Sequence, residues 1–101
     1  MTDWKTPKLK RLSRVLAGIK KEEEILVFLR DLCTLEELET LSSRWEVVAL
    51  LDKARPYREI AQKTGVSTAT ITRIAHWLEN GEGGYRIALR NLKKTNKKYR
   101  P

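Results

Sequence analysis

Tyr57-Arg58-Glu59-Ile60-Ala61-Gln62-Lys63-Thr64-Gly65-Val66-Ser67-Thr68-Ala69-Thr70-Ile71-Thr72-Arg73-Ile74-Ala75-His76 is the stretch that decides the fold. Ile60 and Ala61 read as the inward side of a short helix, and the small Ala lets a second helix come close. Gly65 can take φ > 0 where that helix stops, a conformation a Cβ makes costly. Val66 plugs the corner, and Ser67 is a good N-cap for the next helix. Ile71 and Ile74 lie one turn apart on its buried side. The stretch reads as a helix-turn-helix spanning about 57–80.

The second helix is expected to expose Thr68, Thr70, Thr72 and Arg73, with Ala69 as a small methyl. Those side chains suit base edges and phosphates in a major groove. No carboxylate occurs from Ser67 to His76. Arg58, Lys63 and Arg73 are expected towards phosphates, with Gln62 and Ser67 beside them. The plainer reading is an ordinary helical hairpin within a core, and the spacing of Ile, Ala, Gly and Val fits it equally. The hydroxylated, acid-free face and the chain's basic charge favour double-stranded DNA.

The chain has 101 residues and a net charge of +8. That is one domain's worth of chain with a modest core, which dimerisation would enlarge. The charge is uneven: +5 over 1–20, −5 over 21–46, +2 over 47–80 and +6 over 81–101. Basic ends and a basic middle fit a polyanion. The basic tail, 93–101, reads either as a solvated end or as a phosphate contact. Cys33 is the single cysteine and His76 the single histidine. No internal disulfide, metal cluster or Cys-His pair can be built from them, so no metal and no enzyme is expected. Cys33 reads as a packing residue and His76 as a surface residue near a helix end. No long apolar run suggests a leader or a membrane span, and a cytoplasmic protein is expected.

The apolar pattern is helical throughout. Pro7 opens a first helix to about Ile19, with Leu9, Leu12, Leu16 and Ile19 on one stripe. A second runs from Glu22 to about Leu32, burying Ile25, Leu26, Phe28, Leu29 and Leu32. Thr34-Leu35-Glu36-Glu37 is a capping box, in which Glu37 reaches back to the N–H of Thr34. It starts a long helix to about Ala54, carrying Leu38, Leu41, Trp45, Val48 and Leu51. Pro56 breaks the connection to the helix-turn-helix. Gly81 reads as a left-handed cap, and a last helix runs from about Tyr85 to Leu92. The expected class is all-α, about six helices, in one domain over 1–101. The wide apolar stripes of the first two helices suggest sharing between two subunits.

These residues resemble a known family. Ala69-Thr70-Ile71-Thr72-Arg73 is similar to the recognition-helix signature of the Trp repressor. Thr34-Leu35-Glu36-Glu37-Leu38-Glu39-Thr40-Leu41-Ser42-Ser43-Arg44 is similar to the opening of that repressor's central helix. Asn80-Gly81-Glu82-Gly83-Gly84-Tyr85 looks closer still to the short bacterial Trp-repressor-like proteins of unassigned ligand. The motif-bearing match spans about 30–92, and the N-terminal third matches only in pattern. The resemblance implies an intertwined homodimer on a two-fold symmetric operator, its recognition helices in successive major grooves.

The resemblance also implies an effector pocket around Thr34, Arg44, Arg73, Ile74 and Trp77. In the family two arginines sandwich the co-repressor's indole. Arg73 matches one; Arg44 matches the other if a single-residue deletion lies near Pro56. Where the family has glycine this chain has Ile74, and a ligand-contacting serine is replaced by Trp77. Two bulky groups at those positions imply a filled pocket and no dependence on L-tryptophan, so no cofactor is expected. The residues alone read Trp77 as core, one turn after Ile74. The expected function is a DNA-binding transcriptional regulator, a repressor in the first instance. A non-regulatory architectural or replication-accessory DNA binder is the alternative, as is a protein-interaction module using the acidic 21–46 face.

Overall fold

Pro7 sits where a proline costs a helix nothing, since its missing N–H would be unsatisfied there anyway. Thr6 precedes it and accepts a hydrogen bond from the N–H of Leu9 at 3.1 Å. From this start the computed structural model, which describes residues 3–95, runs through six helices and no strand among those residues. They are α1 (Pro7–Gly18), α2 (Glu22–Leu32), α3 (Leu35–Asp52), α4 (Tyr57–Thr64), α5 (Thr68–Asn80) and α6 (Gly84–Thr95). The all-α expectation is met. Residues 96–101 of the basic tail lie outside the described residues. Two compact units divide the chain, 1–38 and 39–101, with the boundary inside α3.

The first unit has no buried residue in either helix. Leu12, Leu16, Ile19, Ile25, Phe28 and Leu29 are half-buried. Leu26 and Leu32 were expected inside, yet they are 67% and 49% exposed. Helices of 12 and 11 residues present more apolar surface than two short cylinders can cover. Glu22, Glu23 and Glu24 fill the first turn of α2, where carboxylates meet the positive end of the helix dipole.

Between α2 and α3 the capping box forms as expected. Glu37 N–H donates to Thr34 Oγ1 at 3.0 Å, and Thr34 N–H donates to Glu37 Oε1 at 2.8 Å. The other end of α3 closes by a device the sequence did not announce. Arg55 N–H donates to the Leu50 carbonyl at 3.1 Å and Ala54 N–H to that of Leu51 at 2.9 Å. This is the Schellman arrangement, with Ala54 left-handed at φ 58 where glycine is usual. α3 therefore stops at Asp52 rather than at Ala54.

The second unit is built around Val47, Val48, Ile60, Ile71, Ile74, Leu78 and Leu89, drawn from α3, α4, α5 and α6. Trp45, Leu50, Leu51, Ala61, Val66 and Tyr85 pack against them. Leu41, expected on the inward stripe of α3, is exposed, and Val47 joins Val48 instead. No polar side chain is buried among the described residues, so this core rests on apolar packing alone.

The α4–α5 corner follows its local chemistry. Gly65 takes φ 75 and donates its N–H to the Ala61 carbonyl at 2.9 Å. Thr64 adds a brace: its hydroxyl donates to the Ile60 carbonyl at 2.7 Å and accepts from Val66 N–H at 3.1 Å. Ser67 Oγ accepts from Thr70 N–H at 3.2 Å, which caps α5. Helix α4 thus ends and α5 begins within three residues.

Gly81 does not take the left-handed cap expected of it; its φ is −83, and the positive φ falls on Gly83 instead. Glycine is needed at position 81 for a different reason. A Cβ there would lie 2.5 Å from the Trp77 carbonyl oxygen, which already accepts the Gly81 N–H. That oxygen is helix backbone and cannot swing away. Gly81→Ala is therefore expected to destabilise the protein by roughly 1–3 kcal/mol. Gly84→Ala, with open space around it and an ordinary φ, is expected to be neutral or stabilising by up to about 1 kcal/mol. Thermal melts of the two variants side by side check this; equal melting temperatures would contradict it.

Candidate nucleic-acid interface

The buried positions of α5 set its outward face. Ile71, Ile74 and Leu78 point into the core. Helical spacing then places Ala69, Thr72, Arg73, His76 and Asn80 on the opposite side, and all five are exposed. Thr68 stands on one flank, and Thr70 and Trp77 on the other.

This differs from the sequence expectation for Thr70, which is half-buried rather than central. Its hydroxyl is held by neighbours: Ser67 Oγ donates to it at 3.1 Å and Arg73 Nη2 at 3.4 Å. Thr72 is the central threonine. Its hydroxyl donates to the Thr68 carbonyl at 2.9 Å, which leaves the oxygen's lone pairs and the methyl facing outward. His76 and Asn80, absent from the expected reading set, continue the same face. Asn80 Nδ2 lies 3.3 Å from His76 Nδ1 and donates to the His76 carbonyl at 3.3 Å. Counting outward by helical period from Ile71, Ile74 and Leu78 would have found both.

The first carboxylate of α5 is Glu79, at the edge of this face, and Arg86 Nη2 neutralises it at 2.8 Å. The first turn of α5 leaves the amides of Thr68 and Ala69 for an outside acceptor, at the positive end of the helix dipole. On α4, Arg58 and Gln62 are exposed. Lys63 is exposed as well, but it shares Glu59 with Arg55, at 3.6 and 3.4 Å. Arg58, Gln62, Ser67, Thr68, Ala69, Thr72 and Arg73 thus lie on the surface of one helical pair.

The effector-pocket residues do not gather in the same way. Thr34 spends its hydroxyl on the capping box and belongs to the first unit. Arg44 is exposed on α3. Ile74 is fully buried and packs in the core, so its side chain faces away from the outward Arg73. Trp77 was expected in the core beside Ile74, yet it is 46% exposed. The reason is its position on α5, where Leu78 rather than Trp77 continues the buried row. Two open depressions in this unit, of about 460 and 390 Å³, are lined by other residues. Among the described residues, no group of three acidic, Cys or His side chains could hold a metal. No helix among them is long and apolar enough to cross a membrane.

The family model of the Trp repressor protein matches residues 7–93. The chain belongs to the Trp repressor family. The family is one of DNA-binding transcription regulators and is generally non-enzymatic. Within it, the uncharacterized protein YerC of Bacillus subtilis strain 168 is 38% identical over 87 residues, covering 86% of this chain and 84% of YerC. A Trp operon repressor homolog of Chlamydia caviae is 40% identical over 82 residues, covering 80% of this chain and 78% of its own. The crystal structure of a TrpR-like protein from Eubacterium eligens superposes with a TM-score of 0.82 at 38% identity, covering 88% of this chain and 92% of that one. The Trp repressor fold expected from the capping box and the Thr70-Ile71-Thr72-Arg73 run is thereby shown.

Proposed function

We propose that this Trp repressor family member is a sequence-specific transcriptional repressor, and that α5 reads bases in the major groove. The observation that carries the reading is the outward face Ala69–Thr72–Arg73–His76–Asn80, exposed throughout and free of carboxylates. A small methyl at Ala69 allows close approach. Thr72 offers a methyl and an acceptor, Asn80 a bidentate amide, and Arg73 a guanidinium for phosphate or guanine. Arg58 and the amides at the start of α5 supply phosphate contacts. Binding isotherms on duplex DNA test this. Affinity should fall steeply with salt, and one sequence should bind at least a thousandfold more tightly than random duplex, the low end of the usual specific range of roughly 10³–10⁷. Salt-dependent binding without discrimination would point to an architectural binder, and no binding at all to a protein-interaction module.

The repressor acts as a homodimer in this reading. The exposed Val15, Leu26, Val27, Leu32 and Leu35 are the surface a second copy covers, and 1–101 then works as one domain with its core completed across the two-fold axis. A folded species of single-chain mass in light scattering at low micromolar concentration would remove this part. The protein acts in the cytoplasm, on the operator itself.

Free L-tryptophan is not the co-repressor in this reading. Ile74 supplies no obstacle beside Arg73, because it faces the core. Trp77 is the bulk that remains there: it lies one turn after Arg73, half exposed, where the family it resembles has a small serine. Calorimetric titration with tryptophan is expected to show no micromolar binding. A tenfold rise in DNA affinity on adding tryptophan would contradict it.

A further inference from the structure

The net positive charge of residues 39–95 falls on a helix that the reading face does not use. Residues 39–95 hold ten Lys and Arg and six Asp and Glu, and α6 contributes four of the cations and none of the acids. The remaining six cations and six acids cancel, so the whole net charge of residues 39–95 sits on α6. Arg86, Arg90, Lys93 and Lys94 fall on one side of the helix, at i, i+4, i+7 and i+8. Together they line an open depression of about 460 Å³ whose floor is the buried Leu89 and whose one lining carboxylate is Asp52.

The stripe is tied to the reading unit at both ends. Arg86 Nη2 lies 2.8 Å from Glu79 Oε1, at the close of α5. Lys93 Nζ lies 3.3 Å from Asp52 Oδ2, at the close of α3 and just ahead of α4. Arg90 and Lys94 have no ion-pair partner among the described residues. From Arg86 to Lys94 the helix rises about 12 Å. That is the span of a few phosphates on one DNA strand, at about 3.4 Å of axis each. An open trough with one apolar side chain for a floor encloses no small molecule, whereas a row of cations at this spacing matches a phosphate backbone.

We propose that the α6 stripe is a second phosphate-binding surface, which grips the DNA backbone beside the site read by α5. The proposal rests on the reading of α5 given above. It makes Arg90 and Lys94 affinity residues with no part in base choice.

The test is the double variant Arg90→Gln with Lys94→Gln. Both side chains are exposed, and Gln is a comparable helix former, so circular dichroism should be unchanged. Binding is measured against salt on two duplexes, the selected operator with about one helical turn of flank on each side and the same operator trimmed of its flanks. On the flanked duplex the log–log salt slope should fall by about 1.8, and Kd should rise roughly tenfold or more near 0.1 M salt. Base preference and binding to the trimmed duplex should not change. An unchanged slope on the flanked duplex, or an equal loss on both, overturns the proposal. So does micromolar binding of inorganic pyrophosphate that the variant loses while its DNA slope stays unchanged; that result would make the depression a small-anion site. If the wild-type protein prefers no sequence, the reading of α5 fails instead, and the slope on random duplex still decides the stripe.

Discussion

Ile74→Ala is expected to lower the unfolding free energy by about 2–5 kcal/mol, the range for deleting three carbons from a closed core. Ile74 is fully buried and packs with Ile71, Leu78, Ile60, Val47 and Val48 in the core of the second unit. No polar group shares that core, so nothing offsets the cavity. A small domain holds roughly 0.05–0.15 kcal/mol per residue, so a loss of this size takes most of what a 57-residue unit (39–95) has. Urea unfolding at a fixed protein concentration measures it, since a dimer's midpoint depends on concentration. Ile74→Val should lose only about 0.5–1.5 kcal/mol. A midpoint for Ile74→Ala within error of wild type would mean that the side chain faces elsewhere. Ile74→Ala should also leave tryptophan binding absent, because the isoleucine occupies core and not ligand space.

The second large effect concerns Ala69. It is exposed at the start of α5, in the middle of the face proposed to enter the groove. Ala69→Glu costs the helix little, because a carboxylate in the first turn is favourable to the dipole. On DNA it would set a negative charge against phosphates and base edges, and unmatched like charges cost several kcal/mol. Operator affinity is expected to drop by roughly a hundredfold or more, with the unfolding midpoint unchanged. Affinity within a factor of three of wild type would show that α5 presents another face to its partner.

The elements that sequence reasoning located are those governed by neighbours along the chain. Gly65 at φ 75, the Ser67 cap and the Thr34–Glu37 box each depend on three or four consecutive residues. Such rules act locally and are therefore readable. The α5 face was half legible. Ile71 and Ile74 marked its inward side, but Thr70 was placed outward by residue type, when its register puts it on a flank beside Ser67 and Arg73. Trp77 was placed in the core by its spacing, one turn after Ile74. Register again decided otherwise, because Leu78 holds the buried row.

Other features were out of reach for a different reason. Ala54 at φ 58 is a left-handed residue with no glycine to announce it, stabilised by hydrogen bonds to Leu50 and Leu51. Gly81 is needed for closeness to a carbonyl four residues back, which composition cannot reveal. The basic stripe of α6 was seen only as a charged tail. Its meaning depends on Glu79 and Asp52, 7 and 41 residues away in the chain.

Selection of bound duplexes from a random pool tests the central proposal most directly. The expected result is one enriched sequence with two-fold symmetry, its half-sites about one helical turn apart, as two copies of α5 in successive major grooves require. Enrichment should be lost with Ala69→Glu and kept with Arg90→Gln and Lys94→Gln. A pool that remains random after repeated rounds, or that converges on a site with no symmetry, would contradict the reading of this protein as a dimeric, sequence-specific repressor.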